Sequence, residues 1–277
     1  MIRTGMSTSC VFPLSIEHAF RLAREADFDG LEVMITQDPT SQNADRLLEL
    51  SARYELPILS VHAPVLLLSQ LVWGLDPTDK LVRSAELARA VGASTVVVHP
   101  PFVWQVGYAR SFERTVRQLS AAYGLEFAIE NMFPLKFGPL GVPAFALGTD
   151  PVRLDCDAIT LDFSHAALAG RDSLELATSM GSRLRHVHLG DGPGSMAEGH
   201  LFDEHRVPGH GSQPVAEVLE HLALTGWHGS IIAEVHTGSG SSDAERLAML
   251  VETREFARRY LARGARARRS AARSDSA

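Results

Sequence analysis

The sequence predicts an α/β protein folded as a single eight-stranded (β/α) barrel, and three observations predict it. Short β-branched or apolar runs alternate with amphipathic stretches of helical period, the pattern of repeated β-α units and a parallel sheet. Eight such runs fit into 277 residues, a length compatible with one barrel domain, for which about 250 residues is typical. Most of the runs end in, or lead straight into, a polar residue able to act at a site. In a closed barrel those ends converge on one face, whereas in an open sheet they spread along a line.

Taken in order, the first strand is Ile2–Met6, followed by a helix over Ser15–Ala26. The second strand is Gly30–Met34 with its helix at Ala44–Tyr54, and the third is Ile58–His62 with a helix at Thr78–Val91. Thr95–His99 is a run of threonine, three valines and a histidine that reads as the fourth strand, with Ser111–Tyr123 as its helix. Glu126–Glu130 and Ala158–Asp162 are the fifth and sixth strands, and Thr149–Leu154 between them is the weakest helical segment. Leu184–His188 and Ser230–Glu234 complete the set, with helices at Ser173–Met180, Val215–Leu224 and Asp243–Leu261. Gly92, Gly124 and Gly226 each stand where a helix gives way to a strand, and glycine tolerates the left-handed conformation that ends a helix.

Two connections stand out. Val65–Trp73 is unusually apolar, and Phe133–Pro143 is long and rich in proline and glycine. Each reads equally well as a lid that excludes water from a site or as a segment that simply packs over the barrel mouth or forms a subunit contact in a homo-oligomer.

Hydrophobic residues make up 45% of the chain and charged residues 21%, with mean hydropathy near zero, so a globular protein is expected and a membrane protein is not. The segment after Met1 lacks a basic region leading into an apolar one, so a cytoplasmic location is expected. Two cysteines cannot build a thiolate cluster, which leaves any metal to the twelve histidines and the carboxylates. The net charge is −7, and removing the +4 of residues 262–277 leaves a body at −11. A body so acidic is a poor general partner for nucleic acid. The tail itself has five arginines and no apolar periodicity, and is expected to be a basic, disordered extension of a barrel spanning residues 1–261.

The chemistry lies at the strand ends. His62, His99, Glu130, Asp162 with His165, His188 and Glu234 occupy the ends of six successive strands, and a later loop adds Asp203 and His205. One histidine at a strand end is as often structural as functional. Six converging strand ends make a divalent-metal site the better reading, and imidazole with carboxylate suits zinc, manganese, cobalt or iron, one to three ions. His186 is assigned to structure, because it lies two residues before His188 and therefore one layer deeper on the same face. His18, His221 and His228 fall on helices or at the opposite end, where residues serve stability. Phe102, Trp104 and Lys136 are the expected substrate contacts, with Tyr108 a further aromatic nearby, although the three aromatics serve at least equally well as core packing of the lid.

Three motifs carry a family resemblance. His62-Ala63-Pro64, Asp162-x-x-His165 followed by Ala166, and Asp203-x-His205 leading into Pro208-Gly209-His210-Gly211 resemble those of the xylose isomerase-like TIM barrels, over nearly the whole chain up to Leu261. That group includes endonuclease IV and many sugar and sugar phosphate isomerases and epimerases. The resemblance implies that Glu130, Asp162, His188 and Glu234 hold a single metal and that the two glutamates also move protons at the reacting carbon. It also implies that His62, His99, His165, Asp203 and His205 match the additional zinc ligands of endonuclease IV. Two departures matter: Val65 replaces the aromatic that follows His-Ala-Pro in the nucleases, and Gly194 replaces an arginine used by some ketose epimerases.

The expectation is therefore a metal-dependent isomerase or epimerase acting on a small sugar, polyol or sugar phosphate. The alternative is a multinuclear zinc phosphoesterase or abasic-site nuclease, and the third reading is a carbohydrate sensor without turnover.

Overall fold

The computed structural model describes residues 2–65, 69, 71–134, 136–137, 142–199 and 203–274. Eight strands, β1 (Arg3–Ser7), β2 (Gly30–Met34), β3 (Ile58–His62), β4 (Thr95–Val98), β5 (Glu126–Glu130), β6 (Ala158–Asp162), β7 (Leu184–Leu189) and β8 (Ser230–Ala233), form one closed parallel barrel. Each strand pairs with its neighbours in sequence, and Arg3↔Ser230 through Met6↔Ala233 closes β1 on β8. The eight-stranded (β/α) barrel read from the sequence is thus the observed architecture.

Helices α1 (Ile16–Glu25), α2 (Ala44–Tyr54), α3 (Pro77–Val91), α4 (Val106–Tyr123), α5 (Phe163–Leu168), α6 (Ser173–Met180), α7 (Val215–Thr225) and α8 (Asp243–Ser274) surround it. Their starts are fixed chemically: Ser15, Asn43, Asp76 and Asp172 each turn a side-chain oxygen back onto an otherwise unpaired first-turn N–H. Gly92, Gly124 and Gly226 end α3, α4 and α7 at φ of 76°, 64° and 76°, as their positions in the sequence suggested. The main core lies between the outer faces of the strands and the helices, with Phe20, Leu31, Val61, Val96, Phe127, Ile159, Val187 and Ile231 all buried. No helix of the described residues is long and apolar enough to cross a membrane.

The structure departs from the sequence reading in four places. Helix α4 begins at Val106, five residues before Ser111, because Gly107 stays within the helix instead of ending a loop. Thr149–Leu154 holds only a single 3-10 turn, Pro151–Arg153, capped by Asp150. An extra helix, α5, follows β6 directly. The fourth departure is the tail.

Residues 262–274 continue α8 as helix where disorder was expected. Alanine and arginine are among the strongest helix formers, and between Leu261 and Ser274 only Gly264 has a poor helix propensity, through which the helix nonetheless runs unbroken. That glycine is itself buried against α7, where a Cβ would collide with the Glu220 carbonyl oxygen. At the other end of α8, His18 Nε2 lies 3.0 Å from Asp243, and Arg21 pairs with the same carboxylate, tying α1 to α8.

Of the two proposed lids, Leu66, Leu67, Leu68 and Gln70 of the apolar loop lie outside the described residues, as do Leu135 and 138–141 of the other. Lys136–Phe137 pairs antiparallel with Val142–Pro143 in a small separate hairpin. The side chain of Lys136, an expected substrate contact, also lies outside the described residues.

Candidate metal centre

Alternation along a strand turns every second side chain into the barrel. On β3 the inward residues at the upper end are Ser60 and His62, on β5 Glu130, on β6 Asp162, and on β7 His186 and His188. His99 and Glu234 follow β4 and β8 directly. All of these are at most 8% exposed.

The site is arranged around His188. Its Nδ1 lies 3.0 Å from Glu130 Oε1, 2.9 Å from Glu234 Oε2 and 3.7 Å from Asp162 Oδ2. Donor atoms of Glu130, Asp162, His188 and Glu234 all lie within 4.8 Å of one another. Two further groups at the barrel mouth share members with this one, His62, His99 and Glu130, and Asp162, His165 and His205, while a deeper group, Glu32, His186 and His188, shares His188. His99 Nε2 is 2.8 Å and His62 Nε2 3.4 Å from Glu130 Oε2, so the two oxygens of Glu130 face different groups. Asp203 joins the third group through its Oδ2, 3.0 Å from His165 Nε2 and 2.7 Å from His205 Nε2, while Ser164 donates to its other oxygen.

Local structure fixes these positions. Asp162 is both the end of β6 and the N-cap of α5, accepting from the His165 backbone N–H at 2.6 Å. This is why the two residues occur three apart. Asn131 bridges the neighbouring strand ends, its Oδ1 accepting from Asp162 N at 2.7 Å and its Nδ2 donating to Asp162 O at 3.0 Å. Ser9, in the turn after β1, donates to Glu234 Oε1 at 3.0 Å. The loop bearing Asp203 and His205 is held by Asp191, whose buried carboxylate accepts from the backbone N–H groups of Gly192, Gly209, Gly211 and Gln213. The Pro208-Gly209-His210-Gly211 motif thus wraps an anion of the protein's own, and a Cβ at Gly211 would strike Asp191.

The electrostatics fit a bound cation. Burial pushes the Glu130 carboxyl up, but the imidazoles of His188 and His99 and hydrogen bonds from His165 and His188 outweigh it and hold the group well below the usual range. Glu234 is held at about 2, against its burial, chiefly by His188. Asp162 goes the other way, raised to about 6 by burial with Glu130 and Asp203 nearby. Burial lowers His188, yet the charges of Glu234, Glu32 and Glu130 lift it well above its ordinary value.

Three carboxylates therefore face a ring nitrogen whose lone pair they would repel. Without a metal, that nitrogen must carry a proton for the arrangement to stand; with one, the same atoms are its ligands. Residues and geometry fit a divalent ion held by Glu130, Asp162, His188 and Glu234.

A cavity of about 220 Å³ opens beside His99, lined also by Lys80, Pro100, Trp104, Gln105 and Tyr108. Trp104 is 46% exposed. Phe102 is buried, stacked on Trp104 with centroids 4.5 Å apart and on Phe145 at 5.3 Å. Its ring supports the cavity wall from behind, because the apolar cluster of Met132, Ala144 and Phe145 encloses it.

Sequence reasoning missed Glu32, Ser9, Asn131 and Asp191. Glu32 left a signal: it is the one charged residue in Gly-Leu-Glu-Val-Met, and a carboxylate inside so apolar a strand requires partners.

Comparison with known proteins agrees with the geometry. The model of the xylose isomerase-like TIM barrel family matches residues 20–260. An uncharacterized protein of Mycobacterium tuberculosis is 45% identical over 95% of this chain and 99% of its own. Fructoselysine 3-epimerase of Escherichia coli O157:H7 is 21% identical over 85% of this chain and 91% of its own. The crystal structure of a D-tagatose 3-epimerase-like protein superposes with a TM-score of 0.64 at 23% identity, covering 94% of this chain and 97% of that one, a likeness of fold. With a family match across most of its length and a closed parallel barrel to house it, the chain belongs to the xylose isomerase-like TIM barrel family.

Proposed function

We propose that the protein is a divalent-metal-dependent isomerase or epimerase acting on a small sugar, polyol or sugar phosphate. The observation that carries this reading is the group Glu130–Asp162–His188–Glu234 at the barrel mouth, with two glutamates that can work as a pair. Fructoselysine 3-epimerase and the D-tagatose 3-epimerase-like structure, among the similar proteins, support the same class. A cation held there, of zinc, manganese, cobalt or iron type, supplies the positive charge that acidifies a C–H beside a carbonyl. Glu130 and Glu234 approach His188 from different strands, and each keeps a second oxygen outside the shared group. That oxygen accepts from Ser9 in Glu234 and faces His99 in Glu130. The two carboxylates thus stand ready to remove a proton from one face of a substrate carbon and return it on the other. The cavity beside His99, with the Trp104 indole along its wall, offers a surface on which a sugar ring can lie.

The changes Glu130→Gln and Glu234→Gln together should abolish turnover, assayed as epimerisation of ketoses with deuterium uptake from solvent, and leave the far-ultraviolet circular dichroism unchanged. Retained turnover would place the chemistry elsewhere.

A second reading, a multinuclear phosphoesterase, is favoured by one observation: the groups His62–His99–Glu130 and Asp162–His165–His205 adjoin the first and share its carboxylates. Replacing His62 and His99 with alanine separates the two. In an isomerase the ion on Glu130, Asp162, His188 and Glu234 stays and the loss appears chiefly in KM. In a phosphoesterase an ion is lost and hydrolysis collapses, since the phosphoryl oxyanions need its charge.

A further inference from the structure

Beneath the site lies a buried layer that the proposed chemistry does not use. Glu32 on β2 is fully buried in the barrel interior, and its three hydrogen-bond partners come from two other strands. Its Oε2 accepts from Ser60 Oγ at 2.8 Å and lies 2.9 Å from His186 Nε2. Its Oε1 lies 3.1 Å from His188 Nε2. His188 is therefore held at both ring nitrogens, Nε2 by Glu32 below and Nδ1 by the site carboxylates above.

We propose that Glu32 is a positioning residue for the metal centre: it fixes the proton of His188 on Nε2 and so presents the Nδ1 lone pair to the cation. The inference rests on the reading of His188 as a metal ligand. A neutral imidazole has one N–H and one lone pair, so it can serve as ligand on one side only. Three carboxylates converge on the Nδ1 side and one on the Nε2 side, so the cation belongs above and the proton below. This also decides against a separate metal ion at Glu32, His186 and His188, although their donor atoms cluster closely enough to suggest one. A carboxylate behind a metal-bound imidazole also makes the ring a better electron donor and prevents its rotation. Ser60 and His186 serve the same end one step removed, since they satisfy the second oxygen of Glu32 and keep the first aimed at His188.

The test uses zinc as probe and Glu32→Gln, which preserves shape but removes the charge. Zinc affinity of the full-length chain, measured by chelator competition, should fall by about 10- to 100-fold in the variant. Circular dichroism of the metal-free variant should remain that of the wild type. In the zinc-loaded wild type, long-range proton–nitrogen NMR should show His188 protonated at Nε2, with that proton far downfield, and in the variant the resonance should move upfield. Equal zinc affinity in the two proteins would overturn the inference and leave the metal reading intact, whereas a proton on Nδ1 of His188 in the loaded wild type would overturn the inference and remove His188 from the ligand set as well. A wild-type chain that takes up no zinc would overturn both.

Discussion

Asp162 shows how one side chain can serve architecture and chemistry at once. Its Oδ1 caps α5 through the His165 N–H, while its Oδ2 is turned toward His188. These duties have different chemical requirements, because an N-cap needs an oxygen acceptor and a metal ligand needs charge. Asp162→Asn should therefore keep α5 and lose most metal affinity. Asp162→Ala should lose both, with a further destabilisation of about 1 kcal/mol from the missing cap, or roughly 2–4 °C in Tm for a domain approaching this size. Thermal melts of both metal-free variants beside zinc titrations check this, and equal Tm values would show that the cap contributes nothing. The same geometry explains why most of the proposed ligands could be read from sequence. A buried parallel strand is an apolar run, so a histidine or carboxylate at its end is conspicuous. Glu32 was overlooked because it stands in mid-strand, and its partners on β3 and β7 are brought to it by barrel closure.

At the scale of elements, α8 is the segment where the sequence misled most. Its C-terminal half lacks an apolar stripe, and a search for hydrophobic period reads such a stretch as solvated. The contact made there depends on the absence of a side chain: Gly264 lets α8 approach α7 closely, and Ala223 and the Glu220 carbonyl occupy the space a Cβ would need. Replacing glycine by alanine within a helix ordinarily stabilises by about 1 kcal/mol. Here the sign should reverse, with Gly264→Ala lowering Tm because the two helices must separate. Deletion of residues beyond Arg269, all exposed where described, should leave Tm unchanged. Calorimetry on the two proteins decides, and a stabilised alanine variant would show that α8 is free to shift. The strands were legible to within a residue at either end, since each is a compact apolar run bounded by turns. Helix α5 was not, because it follows β6 without a loop and its first turn is the ligand motif itself.

For the whole molecule, the decisive fact is that the candidate ligands are distributed around a ring. Zinc at one hundred times its dissociation constant should stabilise the folded chain by about 2.7 kcal/mol, if the unfolded chain binds none. A chelator should reverse the gain, and an unchanged Tm in excess zinc would contradict the proposed site. The register Arg3↔Ser230 through Met6↔Ala233 adds a consequence in time. Strand β1 leaves the ribosome before β8 and waits for it, and Glu234 arrives only after residues 230–233 have been made. Pairings so distant in sequence form slowly. His188 gathers its three carboxylates only when β5, β6 and the end of β8 stand side by side with β7, so the nascent chain has no complete binding site to guide it. Metal then enters a finished barrel instead of nucleating one. In stopped-flow experiments zinc should slow unfolding and leave the refolding rate unchanged, because the contacts it strengthens form after the folding transition state; faster refolding with zinc would mean that part of the ring assembles early.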